Sequence, residues 1–110
     1  MNAREFAGQL RERVTIEAPL AERSPTGVRT GEWVEVARCL ASIRLQGNGP
    51  EAEGMALSAM ARFVVTIRWR EGLAVGQQVR WRGGRMIIRQ LRDDPRQPDR
   101  LELYCEELRQ

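Results

Sequence analysis

In run after run of this chain, apolar and polar side chains alternate one for one. A period of two makes each run a strand with a single face to bury. In residues 11–18, Val14, Ile16 and Ala18 fall on one side and Arg13, Thr15 and Glu17 on the other, with Leu10 continuing the apolar side. Residues 32–45 place Trp33, Ala37, Cys39, Ala41 and Ile43 on one side. That run is long for one strand, so a bulge or bend is expected near Ala37. In the strongest run, residues 63–70, Phe63, Val65, Ile67 and Trp69 alternate with Val64, Thr66, Arg68 and Arg70. Residues 78–82 and 85–91 flank Gly83-Gly84, which predicts a tight hairpin with both glycines at positive φ. In the last run Leu101, Leu103 and Cys105 alternate with Glu102, Tyr104 and Glu106.

Between the runs lie Pro, Gly, Asp and Ser, the chemistry of turns. The longest interruption begins at Gln46-Gly47-Asn48-Gly49-Pro50 and continues through Glu51, Glu53 and Gly54. Met55 to Ala61 reads as a short helix with Leu57 and Met60 on one face. A connection of this length is uncommon in a compact domain unless it has a task. The 110 residues suit one domain, residues 1–110. About six strands close most economically as a small antiparallel β-barrel, since closure removes exposed sheet edges. The expected fold is therefore all-β, a closed or nearly closed barrel with a long loop inserted at about 46–61.

The sequence argues against catalysis. It has no histidine, so the commonest general base near neutral pH is missing. Ser24, Ser42 and Ser58 have no base partner and no strand–helix elbow. The pairs Glu51/Glu53, Asp93/Asp94 and Glu106/Glu107 lie in loops or near a terminus, where solvated surface is the default. Cys39 and Cys105 are far apart and sit in apolar runs, which fits buried thiols better than a metal site. No cofactor, metal or catalytic residue is expected. There is no apolar run long enough for a membrane span and no apolar core of a secretion signal at the start, so synthesis in the cytosol is expected.

All 18 basic residues are arginine against 15 acids, for a net charge of +3. Seven arginines fall between Arg80 and Arg100, with Trp81 among them, and this supports an alternative reading as a small nucleic-acid-binding barrel. Against it, Asp93, Asp94 and Asp99 offset the charge, and Phe63, Trp69 and Trp33 fall where a core is needed.

Taken in order, these landmarks resemble the phage head-closure family, also called head–tail joining or stopper proteins. The opening Leu10-Arg11-Glu12-Arg13 followed by a strand is similar to the family's start. Gly31-Glu32-Trp33, Val36-Ala37 and Ala41-Ser42-Ile43 resemble its second strand. Phe63 to Arg70 with Gly72 is similar to its central strand and turn, the stretch from Val79 to Leu91 to its hairpin, and Leu101 to Glu106 to its last strand. The resemblance spans nearly the whole chain and departs from the family in the glycine-rich Gln46-Gly47-Asn48-Gly49-Pro50.

The resemblance implies a structural subunit at the neck of a tailed phage or phage-like gene-transfer particle, assembled in the bacterial host cytoplasm. It implies a ring of six or twelve copies, with portal and adaptor proteins above and tail proteins below. Packaged double-stranded DNA would pass through this ring without sequence-specific binding. By the same resemblance the long loop faces the channel, with Gly47, Gly49, Pro50, Glu51, Glu53, Met55, Leu57 and Met60 as its gating residues. Its glycines and proline suit a moving segment, and its carboxylates would repel phosphate. Arg13, Glu17, Arg68, Arg70, Glu102 and Glu106 point outward by alternation and are candidate ring or partner contacts.

Overall fold

A computed structural model of the chain describes residues 3–20, 31–47 and 60–108. A seven-residue helix, α1 (Ala3–Gln9), leads into β1 (Glu12–Pro19). The remaining strands are β2 (Trp33–Gly47), β3 (Arg62–Arg68), β4 (Gln78–Trp81), β5 (Gly84–Arg92) and β6 (Arg100–Glu107). All pairings are antiparallel, in the order β1-β2-β3-β6-β5-β4, and β4 returns to β1 to close the barrel. The expected all-β closed barrel is what the chain forms.

Alternation built this barrel as the sequence predicts. Val14, Ile16, Ala37, Ala41, Val65, Ile67, Val79, Met86, Ile88, Leu101, Leu103 and Cys105 form one buried cluster. Each paired strand contributes to it, so no strand is stable without its neighbours. The apolar area removed from water, at about 25 cal/mol per Å², is the main term holding the barrel together.

Five expectations need correction. The first concerns Trp33. Ile16 pairs with Ala37 but Glu17 pairs with Glu35, so Val36 is one extra residue in β2. This is the bulge expected near Ala37, and a single inserted residue reverses the faces beyond it. Trp33 therefore pairs with Pro19, on the outer face with Glu17 and Glu35, and does not share the side of Ala37.

The second concerns Trp69, which lies past the end of β3 and is 45% exposed. Its backbone N–H still donates to Asp99 O at 2.9 Å, in register with the β3–β6 pairing, while its indole N–H donates to Asp93 Oδ2 at 3.3 Å and holds the ring at the surface beside the β5–β6 turn.

The third is the hairpin. Trp81 pairs with Gly84, so the two turn residues are Arg82 and Gly83, with φ of 50° and 80°. Two successive positive φ values match the twist of the flanking strands, and Gly84 is left free to open β5.

The fourth is α1, where the strand-based reading places no helix. Phe6 and Leu10 are nevertheless buried. The Arg100 guanidinium lies 3.8 Å from the centroid of the Phe6 ring, and Arg68 lies 5.9 Å from it. Arg100 is thereby almost fully covered and is neutralised by Asp99 at 3.0 Å. Val64, expected on the solvent side, is buried as well.

Candidate functional site

The inserted connection is rooted where β2 ends and β3 begins. Gly47 pairs with Arg62 across an irregularity in the ladder, and Ala61 O accepts the Glu107 N–H at 2.9 Å. Of the expected gating residues, Gly47 closes β2 and Met60 is half-buried ahead of β3. Gly49, Pro50, Glu51, Glu53, Met55 and Leu57 lie outside the described residues, as does most of the short helix expected at 55–61.

Beside this root a groove of 360 Å³ is lined by Gln46, Arg62, Arg89, Gln90, Tyr104 and Glu106. Arg89 is the extra residue of a second bulge, since Ile88 pairs with Cys105 and Gln90 with Tyr104. The bulge turns Arg89 onto Glu106, where its Nη2 approaches Oε1 at 3.1 Å. Next along the outer face, Tyr104 O–H donates to Glu102 Oε1 and Arg92 Nη1 donates to the Tyr104 hydroxyl, both at 3.4 Å. The Tyr104 contact is also the main reason the Arg92 guanidinium holds its proton more tightly than usual.

The six candidate contact residues differ in how far the fold already uses them. Glu17 accepts from Gln78 Nε2 at 2.6 Å and lies 3.7 Å from Arg80, so it ties β1 to β4 at the barrel seam. Glu102 and Glu106 are held by Tyr104 and Arg89. Arg13, Arg68 and Arg70 are exposed, and none of them forms an ion pair among the described residues. The structure thus brings Arg68 and Arg70 together beside α1 and leaves the acidic candidates on other strands.

The alternative reading needs an aromatic face open to bases, and Trp81 does not provide one. Its ring meets Phe63 edge-on inside the barrel, with centroids 5.8 Å apart. Its indole N–H donates to Glu12 Oε1 at 2.9 Å, and Arg82 closes over it while pairing with Glu12 at 3.2 Å. The tryptophan therefore seals one mouth of the barrel.

Both thiols are free. Burial pushes the Cys105 thiol up to about 12 from an ordinary 9.0. Burial also raises Cys39, with the charge and hydrogen bond of Arg70 acting in the opposite direction. Because the folded value of Cys105 lies above the unfolded one, its contribution to stability is complete below pH 9 and is lost as pH climbs from 9 towards 12. Urea titrations across that range should show an alkaline decline that Cys105→Ala flattens. An equal decline in the variant would assign it elsewhere. Among the described residues, no group of three or more His, Cys, Asp or Glu side chains is placed to hold a metal ion. No helix among them is long and apolar enough to cross a membrane.

Comparison with known proteins agrees with this geometry. The phage head completion protein family matches residues 7–108. The solution structure of protein SF1141 from Shigella flexneri 2a is similar at 25% identity, with a TM-score of 0.70 over 97% of this chain and 96% of that one. A chain from the virion of a native gene transfer agent particle has the same fold at 15% identity, with a TM-score of 0.70 over 90% of this chain and 96% of that one. Among curated proteins, none matches this chain.

Proposed function

This chain belongs to the phage head completion protein family, whose members are structural virion proteins, and from that premise we propose that it forms a ring which closes the filled head and receives the tail. The observation that carries this reading is the extent of the family match, which takes in all six strands. Its place is in the virion particle, among other structural proteins.

In the proposed ring, six or twelve copies stand between portal and adaptor proteins above and tail proteins below. Neighbouring copies meet head to tail, so each subunit uses two different faces. Arg13, Glu17, Arg68, Arg70, Glu102 and Glu106 supply charges of both signs for these joints. The connection after Gly47 faces the channel. Glu51 and Glu53, repeated around the ring, discourage the DNA backbone from adhering as it passes. Met55, Leu57 and Met60 supply adaptable apolar contacts between copies when the channel is shut.

Particles made in cells lacking this chain test the reading. They should contain heads that have lost their DNA and carry no tails, and supplying the chain in trans should restore both. Filled, tailed particles in its absence would refute the assignment.

A further inference from the structure

A row of side chains crosses the outer wall at one level of the ladder. Arg13 on β1 stands opposite Leu40 on β2, and Arg68 on β3 stands opposite Arg100 on β6. Ser42 pairs with Thr66, so two residues further on Leu40 adjoins Arg68. Like charges on neighbouring strands are unfavourable. Arg100 is relieved within the chain, by Asp99 at 3.0 Å and by the Phe6 ring. Arg13, Arg68 and the nearby Arg70 form no ion pair within 4 Å among the described residues; Asp99 acts on Arg68 from further off, and Arg70 meets the Cys39 thiol.

These incompletely paired charges border apolar surface. A groove of 450 Å³ between α1 and the barrel is lined by Ala7, Leu10, Leu40, Arg68, Trp69 and Arg70, with the Cys39 thiol beside Arg70. Leu40 is 47% exposed and Trp69 45%, so two of the largest apolar side chains in the wall stand half in water beside the arginines. An aliphatic floor with a cationic rim has a definite complement. A bare phosphate backbone would engage the rim and leave the floor wet. A neutral apolar segment would cover the floor and leave the guanidiniums desolvated without partners, which is costly.

We propose that this groove docks a segment of another protein of the particle, one in which carboxylates flank apolar side chains. The apolar residues fill the floor over Leu10 and Leu40, and the carboxylates pair with Arg68 and Arg70 in the two-pronged manner that arginine favours. The inference rests on the chain being a particle subunit and adds where, and by what chemistry, a neighbour attaches.

The test uses purified full-length protein, so its outcome is independent of whether a ring closes around DNA. Nuclear magnetic resonance spectra are recorded during titration with a peptide of Glu-Glu-Leu-Leu repeats, its Gln-for-Glu counterpart, and a thymidine oligonucleotide of matching charge. The indole N–H signal of Trp69, identified by its loss in Trp69→Phe, should shift with the acidic peptide. The Gln peptide should bind roughly tenfold more weakly, as a lost pair of close charge contacts implies. The double variant Arg68→Gln/Arg70→Gln should lose binding to a similar degree while melting no lower than the parent. Four results would overturn the proposal: no shift with the acidic peptide, equal binding of the two peptides, undiminished binding by the double variant, or the same signals moving at least as far with the oligonucleotide. Concentration-dependent shifts of these signals without any peptide would assign the groove to a second copy instead.

Discussion

A chain lacking residues 48–59, with Gly47 joined to Met60 through two glycines, is expected to unfold in a single cooperative transition and yet to form particles that lose nearly all their DNA. Every ladder pairing among the described residues lies outside the excised stretch, and the join falls where Gly47 and Arg62 are already opposite one another. Closing a shorter loop changes stability by less than about 1 kcal/mol, and in the favourable direction. The proposed gate consists mostly of the removed residues, with Gly47 and Met60 kept at its root. Circular dichroism melts of the shortened protein and DNA content of the purified particles read the two halves separately. A shortened chain that no longer melts cooperatively would mean the connection is part of the barrel's fabric. Particles that keep their DNA would remove the gate from residues 48–59.

Leu103→Ala should produce the largest loss of stability of any conservative change. Leu103 is fully buried and paired between Val65 on β3 and Leu91 on β5, so the void has rigid walls on both sides. Truncation at such a site costs about 3 kcal/mol. In a domain of this length that lowers the melting temperature by roughly 10–20 °C. Urea titration gives the free energy directly, and an unchanged slope would confirm that the unfolded state is not the source. Particles carrying the variant should assemble when cool and fail when warm, because each subunit must be folded to join. A loss below about 1 kcal/mol would place Leu103 at a site able to collapse, contrary to its burial.

Much of the barrel was legible in the sequence because period-two alternation survives wherever a strand is uninterrupted. Val14/Ile16, Val65/Ile67 and Leu101/Leu103/Cys105 needed no further information. The same rule failed at Trp33, where Val36 adds one residue and exchanges inside for outside. A bulge can be expected from strand length, but which tryptophan it flips depends on the partner strand. Trp69 was misread because its anchors, Asp93 and Asp99, are more than twenty residues away. Helix α1 has too few turns for a helical period to appear, and part of its hold on the wall is one phenyl ring beneath two guanidiniums.

The candidate site was legible to a different degree. The position of the long connection could be read from its glycines and proline. That Glu17 is already committed to the β1–β4 seam could not, because Gln78 and Arg80 lie more than sixty residues away. Nor did spacing indicate that, among the described residues, Arg13, Arg68 and Arg70 form no ion pair within 4 Å while Arg80, Arg82, Arg89 and Arg96 do.

Closing β4 onto β1 has a consequence for how such subunits join. The ladder runs all the way round, yet β2 is shared between two partners: Trp33–Ala41 pair with β1 alone and Ser42–Gly47 with β3 alone, so closure shortens the main-chain edge on which another strand could be laid and confines it to such half-paired stretches. Joints made by side chains of the closed wall can draw on its exposed arginines, Arg13, Arg68 and Arg70 among them. Joints of that kind weaken as ionic strength rises and form again when it falls, leaving the barrels themselves intact.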